Sequence, residues 1–404
     1  MHPTLTAIAI LLCTLPATAE EWTRFRGPNG TGVAPPLAIP DTWTESDFAW
    51  HIELPGTGHG SPVIWDDQLF ITSGDQETGD VYFESYNVAT GDRLWRNTGK
   101  ASALGMHTLN AFASTTPTVD GERVYFTYYN PGNVTLVAYT LDGQEVWSQD
   151  LGDFTGEHGF SISPIVVDGM LYLQNEDNNS GYLLALDAKT GDEAWRVERR
   201  AHRHAYSTPA TMTMPDGTLA IVFTSQASGI TAVDAKSGEK LWQFEDVLPD
   251  RTVNSPIVAG DIVVAGCGSG TNGKQLIAYQ MTTDGPQELY RLNRNVPNVP
   301  TGIVVDDLLF LIHERGTMSC LELATSEKVW TKRLGGRYYC SPILLGDRLL
   351  CISMEGEAIM LSAGREFKEL GRTDLGEGTQ ATPAVADGRL FIRTASKLYC
   401  LQEK

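Results

Sequence analysis

One short phrase recurs along almost the whole chain. Its clearest copy begins at Ser163-Pro164 and continues through Asp168-Gly169 to Leu173, which predicts two short strands joined by a tight turn. Related copies begin at Ser61-Pro62, Thr116-Pro117, Thr208-Pro209, Ser255-Pro256, Ser341-Pro342 and Thr382-Pro383, with a degenerate copy at Val299-Pro300. The prolines are 41 to 55 residues apart, a spacing typical of one four-stranded blade of a β-propeller. Eight copies therefore predict eight blades.

The second half of the unit is clearest from Ala185 to Trp195, where the pattern predicts a third strand, a turn and a fourth strand. We expect Tyr290 and Phe367 to replace the tryptophan in the two most degenerate units. A large aromatic side chain at a fixed place in each repeat favours packing between neighbouring blades. The predicted docking residues are Trp50, Trp95, Trp147, Trp195, Trp242 and Trp330.

The two ends of the chain complement each other. The last repeat stops after the strand at residues 398–401, which leaves that blade one strand short. Residues 48–52, Phe-Ala-Trp-His-Ile, resemble a fourth strand without a repeat of its own. Pairing of these segments would remove the open sheet edges of the ring. The predicted fold is all-β: an eight-bladed propeller of four-stranded antiparallel blades, closed by an N-terminal strand.

The first residues predict export. A short apolar run at Ile8 to Leu12 is followed by Ala17-Thr18-Ala19, which suits a signal-peptidase site after Ala19. We therefore expect a signal peptide at residues 1–19, a Pro/Gly-rich extension at residues 20–46 and the propeller at residues 47–404. No later segment approaches the roughly 20 apolar residues of a transmembrane helix. The expected location is periplasmic or secreted.

Charge and cysteine content limit the partners. The chain has 30 Lys plus Arg against 50 Asp plus Glu, and its formal net charge of -20 opposes binding to nucleic acid. Five cysteines remain after the signal peptide, without metal-like spacing and without an adjacent pair. We expect most of these cysteines to be buried thiols. A disulfide between Cys340 and Cys351 is the alternative for that pair.

The phrase AxDxxTGxxxW at residues 185–195 resembles the tryptophan-docking repeat of the pyrroloquinoline-quinone (PQQ) propeller superfamily. A close variant at residues 232–242 has Ser237 in place of threonine. The opening from Trp22 to Gly32, WTRFRGPNGTG, is similar to the N-terminal phrase of secreted bacterial PQQ-like repeat proteins. The resemblance extends from about Trp22 to Leu401, and it implies an eight-bladed propeller.

The superfamily has two branches with different functions. PQQ-dependent dehydrogenases hold the quinone and a calcium ion in the funnel, often beside an adjacent-cysteine disulfide that this chain lacks. The other branch includes the propeller lipoprotein of the outer-membrane β-barrel assembly machinery, which has no cofactor and a binding role. Blade number and length agree with that branch, whereas Leu12 stands before Cys13 where a lipidation signal has a small residue.

Candidate binding residues lie in the connectors that lead from the fourth strand of one blade to the first strand of the next. Such connectors gather at one mouth of the central channel, where they can form a concave site. The candidates are His59, His107, His158, His202, His204, Tyr206, Arg251, Asn254, Arg337, Tyr338 and Gln380. The competing interpretation is ordinary polar loop chemistry without convergence.

The pattern supplies no convincing catalytic residue. The repeated Asp-Gly pairs suit turns and are spread around the ring, so we expect no metal site. We predict a non-catalytic binding or assembly propeller without a cofactor, whose partner is an envelope or extracellular protein or a small anionic ligand. The alternative is a PQQ- and calcium-dependent dehydrogenase that oxidises an alcohol or a sugar.

Overall fold

A computed structural model describes residues 21–101, 110–130, 133–152, 154, 159–178, 180–283 and 285–403 of the 404-residue chain. These residues form eight sheets arranged as the blades of a propeller, each with four antiparallel strands. A short fifth strand, Val33–Ala34, joins one of these sheets in parallel, beside the strand Ile343–Leu345. The predicted fold class is confirmed. In each blade the first strand is innermost and the fourth is outermost, and blades are numbered here in the chain order of their first strands.

Short first strands and longer second and third strands are common to the first four blades. Blade 1 contains Val63–Trp65, Gln68–Gly74, Asp80–Asn87 and Arg93–Lys100. Blade 2 contains Thr118–Val119, Arg123–Asn130, Asn133–Thr140 and Glu145–Asp150. Blade 3 contains Ile165–Val167, Met170–Glu176, Gly181–Asp187 and Glu193–Arg199. Blade 4 contains Ala210–Thr213, Leu219–Ser225, Gly229–Asp234 and Lys240–Phe244.

The same order holds in the second half of the ring. Blade 5 contains Ile257–Ala259, Ile262–Ser269, Asn272–Thr282 and Gly285–Leu292. Blade 6 contains Ile303–Val305, Leu308–Ile312, Thr317–Glu322 and Lys328–Arg333. Blade 7 contains Ile343–Leu345, Arg348–Ile352, Glu357–Ser362 and Glu369–Asp374. Blade 8 contains Ala384–Ala386, Arg389–Arg393, Lys397–Gln402 and, from the N-terminal region, Phe48–Glu53.

The turn chemistry explains why each copy of the repeat begins with a hairpin. Asp168 and Gly169 have φ angles of 50° and 76° between the first two strands of blade 3. Both residues are therefore in the left-handed region that a type I′ turn requires, and this turn matches the twist of the flanking strands. The same turn position holds Asp66, Asp306 and Asp387 with positive φ in other blades.

The ring is closed by pairing of the two chain ends. Phe48–Glu53 pairs antiparallel with Lys397–Gln402, and Trp50 lies opposite Cys400. The predicted closure is thus confirmed. Because the N-terminal strand is the outermost strand of blade 8, both ends of the chain contribute to the same sheet.

Tryptophans of the fourth strands dock onto the next blade. Trp195 of blade 3 donates its indole N–H to the carbonyl of Ala235 at 3.0 Å, and a Cβ on Gly238 would lie 2.7 Å from its ring. Glycine at that turn therefore allows the close approach. Indole N–H groups of Trp50, Trp95, Trp147 and Trp330 likewise donate to carbonyls of the following blade, at 2.8–3.2 Å. Trp242 also packs against an apolar cluster that joins blades 4 and 5, but its indole N–H has no hydrogen-bond partner among the described residues.

Two details of the repeat differ from the sequence-based alignment. In blade 7 the position opposite Met360 is Gly371, which corresponds to Trp195 opposite Ala185, so the assignment of Phe367 was wrong. Phe367 instead packs edge-on against Trp330. Tyr290 does occupy the tryptophan position, opposite Ala278.

The reason for Gly371 lies in the closure. The fourth strand of blade 8 comes from the N-terminal region, so no turn joins it to the third strand. Blade 7 therefore has no such turn on which a tryptophan can dock. The N-terminal extension fills this place instead. The backbone of Asp41 lies against Gly371, and the buried Trp43 donates its backbone N–H to Thr373.

Apolar cores lie between the blades. One buried cluster, for example, joins Phe70 and Phe83 of blade 1 to Val124 and Phe126 of blade 2. The five cysteines from Cys267 to Cys400 are all buried and free, so Cys340 and Cys351 form no disulfide. Within the described part of the chain, no helix has the length and apolar character that a membrane crossing needs.

Candidate functional site

The hydroxyl groups that begin the eight repeats lie around the channel. The backbone N–H of Ser341 donates to the Thr382 hydroxyl at 3.1 Å, and that of Thr382 donates to the Ser61 hydroxyl at 3.1 Å. Equivalent bonds of 2.9–3.2 Å run from Ser61 to Thr116, Thr116 to Ser163, Thr208 to Ser255, Ser255 to Thr301 and Thr301 to Ser341. The repeated hydroxyls therefore link blade to blade, and all eight residues are buried.

This ring corrects the position of the degenerate sixth repeat. Thr301-Gly302, immediately before the first strand of blade 6, occupies the place of the Ser-Pro pair, and Pro300 lies one residue earlier. Alignment on Val299-Pro300 therefore places this repeat two residues too early. The hydroxyl is the feature that persists, because it carries the bond between blades.

Residues 21–34, called the plug segment here, cross one end of the channel. Trp22 pairs with Ile64 of blade 1, and the Thr23 carbonyl accepts from Val119 of blade 2. Further along, Asn29 bonds Thr211 of blade 4, and Val33 pairs in parallel with Leu344 of blade 7. Because it contacts blades on opposite sides of the ring, the plug segment covers one end of the channel. This is the end at which turns join the first and second strands of each blade.

Two buried arginines hold the plug segment in place. Arg24 donates to the carbonyl of Pro209, and Arg26 donates to the carbonyls of Gly302 at 2.9 Å and Pro342 at 3.4 Å. Burial lowers the pKa of both guanidinium groups to about 9, so both are still charged at neutral pH. Their charge is thus compensated by carbonyl dipoles of the inner strands, and neither guanidinium pairs with a carboxylate of a described residue.

Glycine permits the tight path of the plug segment. Gly27 has a φ of 65°, and a Cβ there would lie 2.5 Å from the ring of Trp22. Only glycine combines this backbone conformation with so close an approach. The opening phrase Trp22 to Gly32 is therefore a structural element of the channel.

The other end of the channel opens among the connectors and holds two adjoining cavities. The inner cavity has a volume of about 160 Å³ and reaches from Phe25 of the plug segment past the ring hydroxyls. The outer cavity, of about 470 Å³, lies at the mouth. Both are lined by Asn110, Ser161, Tyr206, Val253, Val299, Tyr339 and Gln380, which shows that they are consecutive parts of one space.

Four of the residues predicted from the sequence lie in this space. His59 lines the inner cavity, Arg251 lines the outer cavity, and Tyr206 and Gln380 line both. Burial, together with the nearby Arg393 charge, lowers the pKa of His59 to about 4. At neutral pH His59 is therefore an uncharged group, and Arg251 carries the only charged side chain among the described residues of the two linings.

Five other predicted residues lie elsewhere. The Asn254 side chain is buried and donates to the Pro297 carbonyl, and Tyr338 is in the core between blades 6 and 7. Arg337 is exposed and pairs with Glu355. His204 is buried against Phe154, and His202 borders a separate surface cavity beside Asp246. His107 and His158 lie outside the described residues.

Sequence reasoning missed several lining residues. Asn110, Ser161, Val253, Asn298, Val299 and Tyr339 line the cavities without having been singled out. Their position in the repeat would have found most of them. Ser161 and Val253 stand two residues before the ring hydroxyls Ser163 and Ser255, and Gln380 and Val299 occupy the same place before Thr382 and Thr301.

The described lining does not fit a quinone held with calcium. Calcium takes oxygen ligands with carboxylates among them, and neither cavity has an Asp or Glu among its described lining residues. Across the described chain, no three His, Cys, Asp or Glu side chains gather closely enough to hold a metal ion.

The blade architecture, the hydroxyl ring and the docked tryptophans define a β-propeller of the PQQ-like repeat class. The family model described as "Outer membrane protein assembly factor BamB" matches residues 79–332. Since this match covers more than half of the chain, the chain belongs to that family.

Individual relatives agree with this assignment. The outer membrane protein assembly factor BamB of Bordetella pertussis is 21% identical over 393 residues, which cover 93% of this chain and 89% of the relative. The crystal structure of BamB from Moraxella catarrhalis superposes with a TM-score of 0.63 and 15% identity, covering 88% of this chain and 97% of that one. A europium-containing methanol dehydrogenase superposes with a TM-score of 0.74 and 10% identity, covering 94% of this chain and 98% of that one. At such low identity the two structures show the common fold alone.

Proposed function

We propose that this chain is an exported, non-catalytic propeller that binds a protein partner of outer-membrane protein assembly at the connector end of its channel. The segment at residues 1–19 directs export and is removed. The observation that carries the proposal is the family match over residues 79–332. The channel supports it, because one end is covered by the chain's own plug segment while the other end presents side chains from several connectors.

The chemistry of the mouth suits a protein partner. Apolar surface from Val253 and Val299 and the rings of Tyr206 and Tyr339 lie beside the amides of Gln380 and Asn298. Aromatic and apolar groups at the centre with polar groups around them are typical of protein-binding surfaces. Binding there would leave the closure and the plug segment unchanged.

The test introduces a tryptophan at one face of the ring or at the other and compares the effects on partner binding. Thr271 is exposed at the mouth, and Lys189 is exposed in a turn of blade 3 on the opposite face. Affinity-tagged full-length chains with Thr271→Trp or Lys189→Trp are cross-linked in the native envelope, and outer-membrane assembly proteins are quantified by mass spectrometry. We expect Thr271→Trp to lower their recovery about ten-fold or more, since a clash at an interface centre costs more than 1.4 kcal/mol.

Lys189→Trp is the matched control and should leave recovery unchanged. Equal recovery with both variants would contradict binding at the mouth. Absence of any outer-membrane assembly protein from the wild-type sample would contradict the proposed function as a whole.

The dehydrogenase alternative has its own test. Purified chain is titrated with PQQ and calcium, and an alcohol or a sugar is added with an artificial electron acceptor. We expect no substrate-dependent reduction of the acceptor. Sustained turnover would show that the chain is an oxidoreductase and would contradict the non-catalytic proposal.

A further inference from the structure

The outer cavity contains a guanidinium group without an acidic partner. Arg251 forms no ion pair with any described residue, and its Nε is buried without a hydrogen-bond partner among them. The adjacent Asp250 does not compensate it, because that carboxylate pairs with Arg203 and Lys274. In a chain with 50 acidic and 30 basic residues, a cation without an acid partner inside a cavity indicates an anion from outside the chain.

A residue with an unsatisfied buried acceptor lines the same cavity. Asn298 is 2% exposed, and its amide nitrogen donates to the Gly270 carbonyl at 2.9 Å. This bond fixes the orientation of the amide. The side-chain oxygen, Oδ1, is buried and has no hydrogen-bond partner among the described residues. An unsatisfied buried acceptor is costly, so the site favours a ligand that brings an N–H donor.

The walls between these two groups are apolar. Val253 and Val299, with the rings of Tyr206 and Tyr339, line the outer cavity and continue into the inner one. A volume of about 470 Å³ lies within the range of small-molecule sites. Phe25 of the plug segment lines the inner cavity, and the wider outer cavity lies at the mouth.

We propose that the outer cavity binds a carboxylate with an adjacent N–H group on an apolar or aromatic body. Arg251 pairs with the carboxylate, Asn298 accepts from the N–H through Oδ1, and the body packs against the valines and tyrosines. A free amino acid derivative and the carboxyl-terminal residue of a polypeptide both have this chemistry. If the ligand is the end of a polypeptide, the inference rests on the proposed function. If the ligand is a free amino acid derivative, it does not.

The first experiment tests the role of the anion by isothermal titration calorimetry. The probes are N-acetylphenylalanine, its C-terminal amide and free phenylalanine, titrated into the full chain. We expect the acid to bind at least about ten-fold more tightly than its amide, because a charge-assisted pair is lost with the carboxylate. Binding by free phenylalanine would assign the site to small molecules, and binding by the N-acetylated acid alone would assign it to a chain end.

Two variants connect this preference to Arg251. Arg251→Gln should weaken binding of the acid about ten-fold or more and leave the amide unchanged. Arg337→Gln is the matched control, since that arginine is exposed, paired with Glu355 and absent from both cavities. It should bind the acid as the wild type does.

A third variant tests the acceptor. 3-Phenylpropionate has the carboxylate and the phenyl ring of N-acetylphenylalanine but no acetylamino N–H. The wild type should therefore bind it more weakly than N-acetylphenylalanine, whereas Asn298→Ala should bind the two acids equally. Because this substitution also removes the bond to Gly270, circular dichroism melting is the check that Asn298→Ala is folded. If Asn298→Ala still discriminates between the acids, Oδ1 is not the acceptor.

Two results would overturn the inference. One is equal affinity for N-acetylphenylalanine and its amide. The other is no binding heat from N-acetylphenylalanine or free phenylalanine up to about 10 mM, because binding at a specific site is tighter than that. Either result leaves the cross-linking comparison of Thr271→Trp and Lys189→Trp unaffected. Failure of the ligand inference and failure of the proposed function are therefore separate outcomes.

Discussion

The two ends of the channel use arginine in opposite ways. At the closed end, Arg24 and Arg26 are buried and donate to carbonyls of Pro209, Gly302 and Pro342. At the mouth, Arg251 has no acidic partner among the described residues, and part of its surface is exposed. The difference indicates that the closed end is completed by the chain itself and the mouth is not. Substitutions at the closed end should thus change stability, and substitutions at the mouth should change binding.

The largest expected effect is at Trp22. This side chain is 2% exposed and packs over Gly27 while its backbone pairs with Ile64. Trp22→Ala should lower the free energy of unfolding by about 3–5 kcal/mol, as for other buried aromatic side chains. Urea denaturation measures the change. Tyr339→Ala at the mouth should cost about 1 kcal/mol, as a half-buried residue does, and equal losses at the two sites would remove the distinction between the ends.

An identical substitution at both ends sharpens the comparison. Arg26→Met leaves the carbonyls of Gly302 and Pro342 without their donor, and it should cost about 1–3 kcal/mol of unfolding free energy. Arg251→Met breaks no ion pair and should change stability by less than about 0.5 kcal/mol. Both are measured by urea denaturation at neutral pH. A destabilisation by Arg251→Met as large as that by Arg26→Met would mean that the mouth arginine is structural too.

The smallest effect at neutral pH concerns His59, whose contribution to stability appears only as the pH falls. In the folded chain His59 has a pKa of about 4, below its ordinary value of 6.5. Between these values the unfolded chain binds a proton that the folded chain does not. The free energy of unfolding should therefore decrease as the pH falls from 6.5 towards 4. Above pH 6.5, where His59 is uncharged in both states, its titration should not change the free energy of unfolding.

The His59 prediction is checked by comparing variants. Thermal melting of His59→Gln between pH 4 and pH 7 should show a weaker decrease than the wild type. The control is His51→Gln, because His51 is exposed on the outer strand of blade 8. Parallel curves for the wild type and His59→Gln would show that His59 is protonated in the folded state as readily as in the unfolded one.

The blade pattern was largely predictable because each repeat encodes its own hairpins. Asp168-Gly169 specifies a turn, and Trp195 marks the fourth strand, wherever the blade lies in the ring. The errors fall where a repeat depends on something outside itself. Gly371 replaces a tryptophan because the next blade lacks the corresponding turn, and Thr301 preserves a bond between blades although its proline is displaced.

The site was less predictable, because a connector does not reveal which side chain points into the channel. Arg251 and Gln380 line the cavities, whereas the neighbouring candidate Asn254 is used within the core and Arg337 lies on the surface. Adjacent Tyr338 and Tyr339 illustrate the limit. Tyr338 is fully buried between blades and Tyr339 lines the channel, although the two residues have the same side chain.

The repeat period, the turn residues and the unmatched strand at each end of the chain determined an eight-bladed propeller closed by its own N-terminal region. These features are local, or depend on hydrogen bonding between two complementary segments, so they can be recognised without coordinates. Tertiary structure alone decided that the opening phrase forms a floor across the channel. It also decided that Arg251 and Asn298 share one cavity, because residues distant in the chain meet only after the blades are arranged in a ring.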